Sequence, residues 1–191
     1  MKIGECQILL TSSLSATGIS APANTYYAEI AETVLEMTRA YESDGIAFFK
    51  SGDPVNALAS FYYGFGWLHF GVSSGLLTLA SPPACPLKGS PDILTGQFRA
   101  KLEEKTHRYA HLLDRAVSSV TSAPDPATRG HEFAERILFI ARFYGSFGKY
   151  YLDSSSFEEA LSHFSYGHGW LDAGVTAGFF YITAERNLFC V

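Results

Sequence analysis

Apolar residues step by threes and fours through two long stretches of the chain: Ile30, Val34, Met37, Tyr41, Gly45, Phe48 in one, and Phe133, Ile137, Ile140, Tyr144, Gly148, Tyr151 in the other. That period lays one apolar stripe along one face of an α-helix. Gly52 stops the first stretch, Asp53 can cap the next helix, and Pro54 takes its first position, where a missing N–H costs nothing. In the second stretch Ser154-Ser155-Ser156 replaces that turn, and Ser156 with Glu159 has capping-box spacing. The helices that follow, over residues 54–80 and 157–183, carry heptad stripes: Leu58, Phe61, Phe65, Leu68, Val72, Gly75, Leu79 and Leu161, Phe164, His168, Leu171, Val175, Gly178, Ile182. Such a stripe is a packing seam. A first helix is expected ahead of each pair, over roughly residues 2–17 and 92–121.

The two stretches are copies of one another. Shifted by 103 positions, Gly64-Phe-Gly-Trp-Leu-His-Phe-Gly-Val72 falls on Gly167-His-Gly-Trp-Leu-Asp-Ala-Gly-Val175, and 20 of the 47 positions over residues 29–75 are identical. The chain is therefore a tandem duplication. Its fold class is all-α: six helices in two three-helix units related by a pseudo-two-fold, residues 1–80 and 92–191, joined by a proline-rich linker over 81–91. Each unit has more apolar surface than three helices can cover, so the two are expected to pack as one domain.

The last helix of each copy also carries a small-residue stripe, Ala57, Gly64, Gly71 and Ala160, Gly167, Gly174. Glycine inside a helix costs about 1 kcal/mol relative to alanine, which close approach of another backbone would offset. Gly64, Trp67, Gly71, Gly167, Trp170 and Gly174 are thus the candidate structural motif. A third stripe, Tyr62, Gly66, His69, Ser73 against Ser165, Gly169, Asp172, Thr176, is semi-polar. A two-fold exchanges His69 with Asp172: near the axis they can pair, and otherwise each contacts neighbouring hydroxyls or backbone. Pairing would raise the His69 pKa and lower that of Asp172.

The spacing Tyr41, Gly45, Phe48, Ala57, Phe61, Gly64, repeated at Tyr144, Gly148, Tyr151, Ala160, Phe164, Gly167, resembles a tetratricopeptide hairpin. The period of 103 is far from the 34 of a tetratricopeptide array. More specifically, Gly52-Asp53, Asn56-Ala57-Leu58 and Tyr63-Gly64-Phe65-Gly66-Trp67-Leu68 resemble the archaeal helical family catalogued as domain of unknown function 357. Its closing motif is more complete in Tyr166-Gly167-His168-Gly169-Trp170-Leu171-Asp172-Ala173-Gly174. The resemblance implies a small cytosolic all-α archaeal protein and brings no reaction with it. His69, standing where the other copy has Asp172, departs from the pattern and implies that the halves have specialised.

Composition narrows the function. The 191 residues are 47% hydrophobic, 17% charged and 15% aromatic, with a formal net charge of -5, which excludes disorder and a strongly basic nucleic-acid footprint. Residues 57–80 hold no formally charged side chain, yet Ser60, Tyr62, Tyr63, His69, Ser73 and Ser74 and a mean hydropathy of +0.06 favour a buried helix over a membrane span. Cys6, Cys85 and Cys190 are too scattered for a zinc site or disulfide framework, and a cytoplasmic setting follows. There is no phosphate loop, no Gly-x-Ser-x-Gly elbow, no His-Glu-x-x-His, and no arginine followed by histidine four to six residues on. Trp67, Trp170 and the neighbouring Tyr62, Tyr63, Phe61, Phe164 and Tyr166 read as core. Arg99, Lys101, Lys105, Arg108 and Arg115, mixed with Glu103, Glu104 and Asp114, read as a solvated helix face.

Two functions remain open. The first is a non-enzymatic scaffold or protein-interaction module with a groove for a protein partner, without cofactor, metal, nucleic acid or membrane, as a monomer with an internal pseudo-dimer or a homo-oligomer. The second is a small-molecule or metal-binding protein, an enzyme included, with a pocket at the repeat junction built from His69, His168 and Asp172.

Overall fold

A computed structural model describes residues 1–80, 85–87 and 91–190. Most of the expected linker, residues 81–91, lies outside the described residues. Among them the helices are α1 (Ile3–Ser15), α2 (Tyr26–Lys50), α3 (Pro54–Ser73), α4 (Arg99–Ser118), α5 (Arg129–Asp153) and α6 (Phe157–Thr176). No helix is long and apolar enough to cross a membrane among those residues.

Local chemistry sets the ends. Thr25 and Thr128 accept the N–H groups of Ala28 and His131 at the starts of α2 and α5, and Asp53 accepts that of Asn56 at the start of α3. Gly52 makes the α2–α3 turn at φ +79°, and Ser155 takes the same left-handed conformation at φ +56°. At α6 the predicted capping box does not form: the Ser156 side chain makes no cap bond. The third helices also end earlier than the heptad stripe suggests. Gly75 and Gly178, at φ +76° and +81°, turn the chain out of the helix.

Among the described residues there are also four short strands, absent from the all-α expectation, two of which follow those turns. Strand β2 (Leu77–Leu79) pairs antiparallel with β1 (Thr17–Ile19), and β4 (Phe180–Ile182) pairs with β3 (Val120–Ser122). Each ribbon ties the exit of a third helix back to the chain leaving the first.

Within a copy, the repeated spacing of the hairpin has a steric reason. Gly45 and Gly148 lie against the rings of Phe61 and Phe164, so that a Cβ at either glycine would collide with them. Gly64 faces Leu10, Tyr41 and the Thr38 carbonyl, and Gly167 faces the Ala141 carbonyl, Tyr144 and Leu113. Gly71 and Gly174 face Leu77 with Val34 and Phe180 with Ile137. The small-residue stripe therefore seats each third helix inside its own copy.

The copies meet through other glycines. A Cβ on Gly66 would stand 2.6 Å from the Tyr166 carbonyl and 2.9 Å from Gly169 Cα, while one on Gly169 would run into the Tyr63 carbonyl. These reciprocal contacts bring the backbones of α3 and α6 together at the centre of the molecule. Trp67 and Phe65 of α3 are buried, and across the crossing Trp170 packs edge-on to Phe70 with ring centres 6.0 Å apart. The buried Trp67 indole N–H has no acceptor among the described residues.

Candidate functional site

His69 and Asp172 make two separate contacts. His69 Nδ1 shares a 2.8 Å hydrogen bond with the Tyr166 hydroxyl, and the Tyr63 hydroxyl donates to Asp172 Oδ2 at 3.0 Å. Tyr63 and Tyr166 occupy equivalent positions, so each polar residue meets the other copy's tyrosine, and His69 and Asp172 are not hydrogen-bonded to each other. His168 takes a third partner, its Nε2–H donating to the Leu188 carbonyl at 3.2 Å. The second Asp172 oxygen accepts the Cys190 N–H at 2.9 Å, and the Tyr41 hydroxyl lies 3.3 Å from Cys190 Sγ. Residues 188–190 thus lie across the buried carboxylate.

Burial governs the electrostatics here. It pushes the His69 pKa down to about 4, the reverse of what pairing with a carboxylate would do. Burial likewise lowers His168 against the opposing pull of Asp172, and raises Tyr63 well above its ordinary value, with the Asp172 charge adding to the rise. The Cys190 thiol is pushed up to about 12 by burial and by Asp172, and the buried Cys6 to about 11. Neither thiol is activated as a nucleophile. Among the described residues no three His, Cys, Asp or Glu side chains gather as a metal site would require.

A cleft of about 300 Å³ opens beside this junction. Tyr62 reaches it from α3, Tyr151 from α5, and Glu159, Ser162 and His163 from α6, with Leu87 and Pro91 closing the side. Every residue of α6 from Phe157 to Val175 is buried except Glu159. Its neighbour Glu158 points inward and accepts the Leu94 N–H at 2.6 Å. His163 donates Nδ1–H to the Glu159 carbonyl at 2.7 Å, and burial lowers its pKa, so the ring is neutral with Nε2 as the remaining acceptor. Tyr151 and Tyr144 lie with ring centres 5.0 and 5.8 Å from His163.

From His163 an aromatic row runs out along α5. Phe147 stacks near-parallel on the imidazole at 6.2 Å, Phe143 lies 4.8 Å from Phe147, and Phe139 5.8 Å from Phe143. Phe139, Phe143, Phe147 and Tyr150 are 63, 42, 43 and 66% exposed. The equivalent positions of α2 are Glu36, Ala40, Asp44 and Ala47. The row lies off the apolar stripe that the two copies share, so periodicity does not mark it; the difference between the aligned copies does. The basic helix also departs from expectation: Lys105 is buried, with Nζ 2.5 Å from Asn56 Oδ1 and 4.8 Å over the Tyr109 ring, and burial lowers its pKa to about 8.

Fold and site together define a duplicated helical protein whose halves interlock through glycine and tyrosine and whose α5 presents an aromatic row that the equivalent positions of α2 lack. The chain belongs to the family described as Protein of unknown function (DUF357), whose family model matches it twice, over residues 7–77 and 108–180. No curated protein and no solved structure matches it.

Proposed function

We propose that this protein is a non-enzymatic interaction module that holds an amphipathic helix of a partner protein against the outer face of α5. The exposed row Phe139, Phe143, Phe147, Tyr150 carries the reading, because the equivalent face of α2 is polar or small. An aromatic side chain presents roughly 200 Å², so these exposed fractions amount to about 400 Å² of ring surface. That approaches half of the roughly 800 Å² each partner contributes to a stable interface. The row's steps of four, four and three residues match the anchor spacing of a helix laid alongside. The net charge of -5 favours a basic partner over a second copy of the chain. Three free cysteines, with Cys6 buried and unactivated, suit a reducing compartment such as the cytoplasm.

A photo-crosslinking residue at position 150 tests this, with one at position 36 as the control. The expected result is a cross-link to a helical segment of another protein that disappears in Phe139→Asp/Phe143→Asp, with helix content and melting temperature unchanged. Equal yields at positions 150 and 36, or cross-links only to a second copy, would overturn it.

A further inference from the structure

We propose that the cleft beside Glu159 is a binding site for an organic cation, an alkylammonium or guanidinium group. Glu159 has the capping-box position but is not used as a cap, and its carboxylate has no hydrogen-bond or ion-pair partner among the described residues. Glu159 lines the cleft together with the aromatic residues Tyr62, Tyr151 and His163. Ring faces attract cations, and the attraction grows where water is excluded. The imidazole adds no opposing charge, because burial disfavours its protonation and outweighs the opposite pull of its Nδ1–H bond to the Glu159 carbonyl. A volume of about 300 Å³ suits a side-chain-sized group.

The other copy shows the same chemistry in use. Asn56, the residue equivalent to Glu159, accepts the Lys105 ammonium at 2.5 Å, and that ammonium lies over the Tyr109 ring. In the second copy a carboxylate replaces the amide, and Phe48 and Ser60 give way to Tyr151 and His163. The carboxylate strengthens the preference for a cation, and the tyrosine keeps an aromatic ring beside it.

The cation can come from a free amine or from a lysine or arginine on a segment crossing α5; the site itself does not depend on the partner reading. Titration of the full chain with tetramethylammonium, N-acetyl-lysine amide and N-acetyl-arginine amide, followed by NMR, tests it against the neutral N-acetyl-norleucine amide. At least one cation is expected to bind tenfold or more tightly than the neutral analogue, with shifts at Tyr151 and His163. Glu159→Gln should remove most of that margin, and Tyr151→Leu part of it, at unchanged melting temperature. An amphipathic helical peptide bearing one lysine, run beside the free amines, distinguishes the sources: tighter binding of the peptide assigns the cation to a partner, and equal binding assigns it to a small amine. Equal affinity for cation and neutral analogue, no effect of Glu159→Gln, or a response to zinc(II) stronger than to any organic cation would overturn the proposal. Retained cation binding with no cross-link at position 150 would remove only the partner reading.

Discussion

Adding one methyl group at the centre of the molecule, Gly66→Ala, tests the interlock directly. Its Cβ would stand 2.6 Å from the Tyr166 carbonyl oxygen and 2.9 Å from both Gly169 Cα and Trp170 N. All three are backbone atoms, so no rotamer change relieves the contact and α3 and α6 must separate by several tenths of an ångström. Overpacking of this kind costs about 1–3 kcal/mol, and the better helix propensity of alanine returns about 1 kcal/mol or less. The net loss is expected at about 1–2 kcal/mol. Gly169→Ala meets the Tyr63 carbonyl more closely still and should cost more. Gly145→Ala is the control: its Cβ would only touch Leu113 Cδ2 at 3.4 Å, so stability should stay level or rise. Urea unfolding gives each value from the midpoint at constant slope. The double variant should cost less than the sum, since helices already pushed apart admit the second methyl more easily. A Gly66→Ala protein within about 0.3 kcal/mol of the parent, or one stabilised like Gly145→Ala, would refute the backbone-to-backbone contact.

Tyr63→Phe should destabilise by about 1–3 kcal/mol, because it strips the fully buried Asp172 Oδ2 of its donor. Double-mutant cycles should give clear coupling for Tyr63 with Asp172 and none for His69 with Asp172; the opposite pattern would contradict the tyrosine exchange. His69, with its folded pKa lowered from 6.5 to about 4, stays neutral where the unfolded chain takes up a proton. Its contribution is full above about pH 6.5 and declines towards pH 4 by up to about 3 kcal/mol, so His69→Gln should flatten that part of the stability profile, and an unchanged profile would sink the assignment. Gly71→Leu should cost more than about 3 kcal/mol, since its Cβ alone would press on Leu77 and Val34; a melting temperature near that of the parent would place Gly71 at the surface.

Helical periodicity and self-similarity made the six helices and the duplication legible, because both are repeated along the chain itself. The ends of α3 and α6 were harder. Leu79 and Ile182 continue the heptad stripe, and a three-residue strand is too short to show its own period, so only the positive φ of Gly75 and Gly178 separates helix from ribbon. Two glycine patterns occur on each third helix, and spacing alone does not say which one meets the other copy. Gly64 and Gly71 pack at home while Gly66 and Gly169 make the crossing. The exchange of His69 with Asp172 followed from alignment, but their partners did not: Tyr63 and Tyr166 precede them by six positions, a spacing that joins residues only across the junction. Glu159 looked like a cap by spacing, and its release into a cleft depends on tertiary packing that spacing does not encode.

The interlock also bears on how the chain is made. Gly66 leaves the ribosome 103 residues ahead of Gly169, an interval of roughly 5–20 s at 5–20 residues per second. The α2–α3 hairpin is local in sequence and can form in that time, while the face of α3 bearing Tyr63 and Phe70 waits uncovered. On a crowded polysome the α6 of a neighbouring chain offers it the same surface as its own, and a swapped pair would satisfy the same crossing contacts. Joining both copies in one polypeptide counters this, because a tether raises the local concentration of the correct α6 to the millimolar range. Duplication therefore acts as a built-in chaperone for the crossing, and severing the linker would return that choice of partner to mass action.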